Sequence, residues 1–170
     1  MGVARFLCAV VVLSAAVAGA TVSTAAVTRP AIDRALLAPI DALVVAMNRS
    51  DDRAIAELMT RDAVIMDEVA PYRWTGPNAE EHWSHDDGLL IRKRGVTASH
   101  SARGIPTFVH RNATHAFVIV PLAYDYTVGG KRQHETGLWT IVMVRTGEVW
   151  RIALLGFAKT GDTSDATWDG

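Results

Sequence analysis

The stretch Ala116-Phe117-Val118-Ile119-Val120-Pro121-Leu122-Ala123-Tyr124-Asp125-Tyr126-Thr127, followed by Gly129-Gly130 and then by Gln133 to Val144, decides the fold. Two extended runs rich in β-branched and aromatic residues, joined by a Gly-Gly pair, read as an antiparallel hairpin, because glycine accepts the positive φ that a tight hairpin turn demands. Thr146-Gly147 marks a second hairpin into Val149 to Ala158, and Val96 to Ala102 and Ile105 to His110 read as further extended segments upstream. Val118, Val120 and Leu122 alternate with Phe117, Ile119 and Pro121, so both faces of this sheet are apolar. One face calls for a layer of helices and the other for a second subunit, which predicts a homodimer.

The helices lie before the strands. Ile32, Leu36, Leu37, Ile40, Leu43, Val44 and Met47 fall at helical spacing and form one apolar stripe. Pro39 inside that stripe predicts a kink, or a helix that starts near Ala38. Ser50 or Asp51 can cap a second helix carrying Ile55, Leu58 and Met59. A strand from Ala63 to Met66 then ends in Asp67-Glu68, an aromatic turn runs from Pro71 to Pro77, and a third helix extends from Asn78 through Trp83 towards Leu90. Helices followed by hairpin-linked strands argue for the α+β class, with three N-terminal helices packed in a curved antiparallel sheet that leaves a cup.

Composition bounds the function. A chain of 170 residues with 49% hydrophobic content suits one domain with one core. Its 17 basic and 18 acidic residues are dispersed and offer no footprint for a nucleic acid. Arg5, the apolar run Phe6 to Ala18 and the small-residue pattern Ala18-Gly19-Ala20, with Thr24-Ala25-Ala26 as a weaker second site, read as a signal peptide over residues 1–26. The expected product is exported, periplasmic or secreted, with no stable membrane insertion after cleavage, a domain over 30–160 and a flexible tail over 161–170. The single cysteine, Cys8, falls in the leader, so the mature chain has no thiol for a disulfide, a nucleophile or a metal.

The run Leu43-Val44-Val45-Ala46-Met47-Asn48, then Asp51, Ile55, Leu58, Asp62-Ala63-Val64, Asp67 and Gly76, resembles the helix-helix-strand opening of a ketosteroid isomerase. Glu148-Val149-Trp150-Arg151-Ile152 is similar to a terminal-strand signature of the wider NTF2-like superfamily, which also includes SnoaL-like cyclases, scytalone dehydratase and limonene epoxide hydrolase. The resemblance implies an NTF2-like cone around an apolar pocket, and places Asp67 on the position of the isomerase's carboxylate base. It places Leu43 where that enzyme carries a catalytic tyrosine and Leu138-Trp139 near its protonated aspartate, so the oxyanion donors of steroid isomerisation are missing.

Two roles are open to Asp67: a base whose ionisation is shifted by desolvation, or a turn cap accepting backbone hydrogen bonds. Tyr72, His100 and His134 are the candidate proton donors. Trp74, Trp83, Trp139 and Leu43 are the candidate wall for a small hydrophobic ligand. His82 and His85 sit three residues apart, but the surrounding Glu80, Glu81, Asp86 and Asp87 suggest a solvated helix face, and neither a metal nor a cofactor is expected. No Gly-x-Ser-x-Gly elbow and no phosphate-cradling glycine loop occurs. The sequence supports a cofactor-independent isomerase, dehydratase or cyclase, or a non-catalytic binding or assembly domain of the same shape.

Overall fold

The computed structural model describes residues 33–162. The signal peptide expected over 1–26 and the expected tail beyond Asp162 lie outside the described residues. Helix α1 (Arg34–Arg49) starts at Asp33, whose carboxylate accepts the Ala35 N–H at 2.9 Å. Leu36, Pro39, Ile40, Leu43 and Ala46 form its buried stripe. The helix does not begin near Ala38: the Asp33 cap fixes the first turn upstream, and burial of the Pro39 ring offsets the backbone bond that proline cannot make. Helix α2 (Asp52–Leu58) is capped by the Asp51 carboxylate on the Ala54 N–H at 3.0 Å. Met59, expected on that helix, opens strand β1 (Met59–Met66).

Strand β2 (Arg73–Thr75) and helix α3 (Ala79–Arg94) follow, then β3 (Val96–Arg103), β4 (Phe108–Arg111), β5 (His115–Val128), β6 (Lys131–Thr146) and β7 (Val149–Asp162). The α+β class holds, with two corrections. Only α1 and α2 precede the strands, because α3 comes after β1 and β2. The sheet is mixed rather than antiparallel: it runs β2-β1-β7-β6-β5-β3, with β4 on β5, and β1 lies parallel to β7 with Ile65 opposite Leu155. Helix α3 then carries the chain from β2 at one edge of the sheet to β3 at the other. Strand β7 also takes in Gly161 and Asp162, which the sequence assigned to the tail.

The core lies between α1 and the inner face of the sheet. Leu36, Ile40 and Leu43 are fully buried with Val118, Val120, Ile141, Met143 and Ile152, each worth about 1.5–3 kcal/mol of transfer free energy. Irregular pairing in β3, β6 and β7 bends the strands over the helices. At Gly137 the Phe157 ring lies directly across the backbone, where a Cβ would collide with it and stand 2.9 Å from the Ala158 carbonyl. Asn48, the penultimate residue of α1, pins strand β3: its Nδ2 donates to the Ser101 carbonyl at 2.8 Å, and its Oδ1 accepts the Ser101 N–H at 2.7 Å.

Candidate functional site

Between α3 and the sheet the packing opens into a cavity of about 380 Å³. The reason is legible in α3. Trp83 is buried on its inward face, but Ser84, Asp87 and Gly88 follow on the same side at helical spacing, and none of these can fill space against a sheet. The opposite wall is built by inward-facing residues of the strands: Ser101 of β3, Leu122 and Tyr124 of β5, Glu135 and Trp139 of β6, and Phe157 of β7. Asp67 and Glu68, immediately after β1, close one end, and Asn48, Ser50 and Asp52 border the side towards α1 and α2.

Asp67 is held on both oxygens. Trp83 Nε1 donates to Oδ2 at 2.9 Å and the Glu68 backbone N–H donates to Oδ1 at 2.6 Å. Burial raises the Asp67 carboxyl above its usual range, and this outweighs the hydrogen bonds, which favour the ionised form. Asp87, one turn beyond Trp83, is pushed up to about 6 by burial and by the charge of Asp67. Glu68 is pushed up to about 7 by burial and by the charge of Glu135. Glu135 is only 3% exposed and faces Lys159 Nζ at 3.5 Å, which also contacts Asp162 at 2.8 Å. Burial likewise keeps the Tyr124 phenol protonated beyond the usual tyrosine range, so it remains a hydrogen-bond donor.

This arrangement can move protons. Asp67 carries hydrogen bonds that suit a carboxylate, while Asp87 sits in the field of that carboxylate and holds its proton towards neutrality. Both carboxyls line one cavity in different environments, so each can exchange a proton with a molecule bound there. Among the described residues no group of three or more His, Cys, Asp or Glu side chains is arranged to hold a metal ion, and no helix is long and apolar enough to cross a membrane.

No protein-family model matches the chain, and no curated protein matches it. Solved structures do match, over most of its length. A scytalone dehydratase-like protein of Novosphingobium aromaticivorans superposes with a TM-score of 0.65 at 12% identity, covering 79% of this chain and 87% of that one. The LinA-type3 hexachlorocyclohexane dehydrochlorinase of Novosphingobium barchaimii gives 0.65 at 13% identity, covering 76% and 88%. A ketosteroid isomerase-like protein of Erwinia carotovora atroseptica gives 0.60 at 19% identity, covering 75% and 95%. The chain has the NTF2-like fold.

Within this NTF2-like cone the structure brings three of the sequence-derived site residues together: Asp67, Trp83 and Trp139 line the cavity. The others lie elsewhere. Leu43 is fully buried in the α1 stripe beneath the sheet. Trp74 is a buried packing residue whose Nε1 donates to Asp86 Oδ2 at 2.9 Å. Tyr72 is 60% exposed in the β1–β2 turn and points to solvent. His100 and His134 do share a location, but on the wrong side. Both are register partners of Asp125, and His134 Nδ1 lies 2.8 Å from its carboxylate. Because neighbouring strand residues face opposite ways, this row is turned away from the cavity that Ser101, Tyr124 and Glu135 line.

The cavity is also not apolar throughout. One wall is aromatic, but Asp67, Glu68, Asp87 and Glu135 give it an acidic character that the resemblance did not imply. Sequence reasoning passed over Asp87 as part of a solvated helix face and did not consider Tyr124 or Phe157. The i, i+4 spacing from Trp83 to Asp87 was the available signal for the first. The hairpin register, which sets Tyr124 opposite Glu135, was the signal for the second.

Proposed function

We propose that this protein is an exported, cofactor-independent enzyme that transfers a proton within a small, partly hydrophobic molecule, as an isomerase, dehydratase or cyclase. Asp67 acts as the base. Asp87 returns the proton, Tyr124 donates a hydrogen bond to the developing charge, and Trp83, Trp139 and Phe157 hold the substrate against them. The observation that carries this reading is the Asp67 carboxylate, fixed by Trp83 Nε1 and the Glu68 N–H at one end of an aromatic-walled cavity with Asp87 in its field. The dehydratase-like, dehydrochlorinase and ketosteroid isomerase-like proteins with this fold lend it support, since eliminations and isomerisations both need a base set against a C–H bond.

The test is native mass spectrometry of the protein purified from its exported fraction, with Asp67→Asn alongside. A small molecule retained intact by the variant and converted by the wild type is the expected result. A molecule held unchanged by both would replace the enzyme with a binding protein. The reading also includes a homodimer formed through the outward sheet face, where Phe108 and Phe117 meet edge to face at 6.0 Å and Phe108 is half exposed. A monomer on size-exclusion chromatography at micromolar concentration would refute the dimer.

A further inference from the structure

Helix α3 roofs the cavity with little apolar contact to hold it in place. Its buried residues, Ala79 and Trp83, both fall in its first two turns, and Leu90 packs only partly buried against the core further on. Ser84, Asp87 and Gly88 face open space. The start of the helix is weakly held as well, because Asn78 sits in the left-handed conformation at φ 65° and makes no side-chain cap bond. Hydrophobic contact is non-directional, so two buried side chains near one end leave the rotation of the helix about its own axis loosely set. That rotation decides where Asp87 stands and, through Trp83 Nε1, how Asp67 is held.

Two hydrogen bonds running in opposite directions supply what packing does not. Trp83 of α3 donates its indole N–H to Asp67 Oδ2 at 2.9 Å, and Trp74 of β2 donates its indole N–H back to Asp86 Oδ2 of α3, also at 2.9 Å. The other links are backbone. Trp74 pairs with Ile65 in the β1–β2 register, the Asp67 N–H donates to the Tyr72 carbonyl at 3.3 Å, and Trp83 and Asp86 lie within one turn of α3. Together they close a ring that runs from Asp67 through the hairpin to Trp74, across to Asp86, along α3 to Trp83 and back. One bond alone would let the helix pivot about it, whereas two that cross in opposite senses fix its rotation. Asp86 borders the outer groove beside Pro71 and Leu89 and is no part of the cavity wall. Its carboxyl is held below the usual carboxylate range, first by the Trp74 bond and then by His85, whose Nδ1 lies 3.3 Å from Oδ1. The anchor therefore stays charged across the range in which Asp87 titrates.

Resting on the reading of Asp67 and Asp87 as the reacting carboxyls, we propose that Asp86 and Trp74 are positioning residues for them: their bond locks the rotation of α3, keeping the Trp83 N–H on Asp67 and the Asp87 side chain turned into the cavity. Adjacent residues of one helix thus divide the work. Asp86 faces the hairpin and holds the helix, and Asp87 faces inward and meets the substrate. Opening the ring at Asp86 acts on Asp67 through Trp83, although no residue of the cavity wall is changed.

NMR of the whole protein without substrate tests this, reading the Asp67 carboxyl carbon and the exchange of the Trp83 indole N–H with solvent. Asp86→Ala and Trp74→Phe break the bond from opposite ends. In both, the Trp83 N–H should exchange at least about ten-fold faster than in the wild type. The Asp67 carboxyl should titrate higher, because the hydrogen bond that favours its ionised form is weakened. Asp86→Asn removes the same charge as Asp86→Ala but keeps an oxygen that accepts the Trp74 N–H, and should restore both readouts. The double variant of Asp86→Ala with Trp74→Phe should show no larger effect than either single change, since each removes the same bond. Coupling is reciprocal, so Trp83→Phe should speed exchange of the Trp74 N–H by a similar factor. Asp86 is partly exposed, so the comparison of its alanine and asparagine variants holds even where Trp74→Phe fails to fold. Wild-type exchange and titration in Asp86→Ala would overturn the positioning role. Asp86→Asn behaving as Asp86→Ala would assign the effect to charge and overturn it equally. A bound molecule left unchanged by the wild type would remove the enzyme and leave the lock on α3 standing.

Discussion

Replacing Asp87 with asparagine should change how stability depends on pH, and the structure sets both the sign and the size of the effect. The Asp87 carboxyl rises from 3.8 to about 6 on folding, because burial and the neighbouring Asp67 charge disfavour its ionised form. The native state then binds a proton more tightly than the unfolded chain, so folding stability falls as pH rises from about 4 through about 6. At about 1.4 kcal/mol for each pH unit, the full shift corresponds to about 3 kcal/mol. Water entering the open cavity reduces this to about 2 kcal/mol. Asparagine has the same shape and no charge, so Asp87→Asn should gain about 2 kcal/mol on the wild type between about pH 4 and about pH 8. Urea unfolding of both proteins at the two pH values, with equal slopes as the check that the unfolded state is unchanged, measures it. A difference in stability that is the same at both ends would show that Asp87 titrates as a solvated carboxylate, and the acid assigned to the site would be lost with it.

Trp83→Phe keeps an aromatic ring, though a smaller one, and removes the N–H bonded to Asp67 Oδ2 at 2.9 Å. The Asp67 carboxyl should rise further, because a hydrogen bond that favours its ionised form is lost, as read by carboxyl-carbon NMR. Asn48→Ala leaves the N–H and carbonyl of Ser101 without their side-chain partners, and Ser101 is only 4% exposed. Urea unfolding should report a loss of about 1–3 kcal/mol. Gly137→Ala forces a Cβ into the space of the Phe157 ring and should cost about 1–3 kcal/mol while displacing that ring from the cavity wall, visible as a change in its aromatic proton shifts.

Much of the sheet was readable because a tight hairpin fixes arithmetic. With Gly129 and Gly130 at the turn, Val128 pairs with Lys131, and every later pair follows, including Asp125 with His134 and Tyr124 with Glu135. The same count separates the two faces of the ladder, and so explains why a histidine beside a cavity glutamate in sequence is turned away from the cavity in space. What the sequence could not supply was the partner of β1. No turn joins β1 to β7, so neither the parallel direction nor the neighbour is encoded locally. The acidic side of the cavity was hidden for a related reason. Asp87 lies in a helix with little apolar contrast between its faces, and only packing against a sheet decides which polar residues are enclosed. Asp67 was singled out because the resemblance to the ketosteroid isomerase opening places it on the base position, at the end of a strand.

The pairing of Met59–Met66 with the last strand has a kinetic consequence. Hairpins β5–β6 and β6–β7 involve neighbours in sequence and can form early, whereas the β1–β7 contact must close a loop that contains most of the domain. Contacts of such long range slow folding and are made late. Until residues 149–162 are available, β1 has no partner on that side, and its edge stays open to pairing with another chain. A chain cut just before Val149 would therefore keep its local hairpin and helices, yet accumulate as a collapsed, aggregation-prone species rather than a smaller folded one.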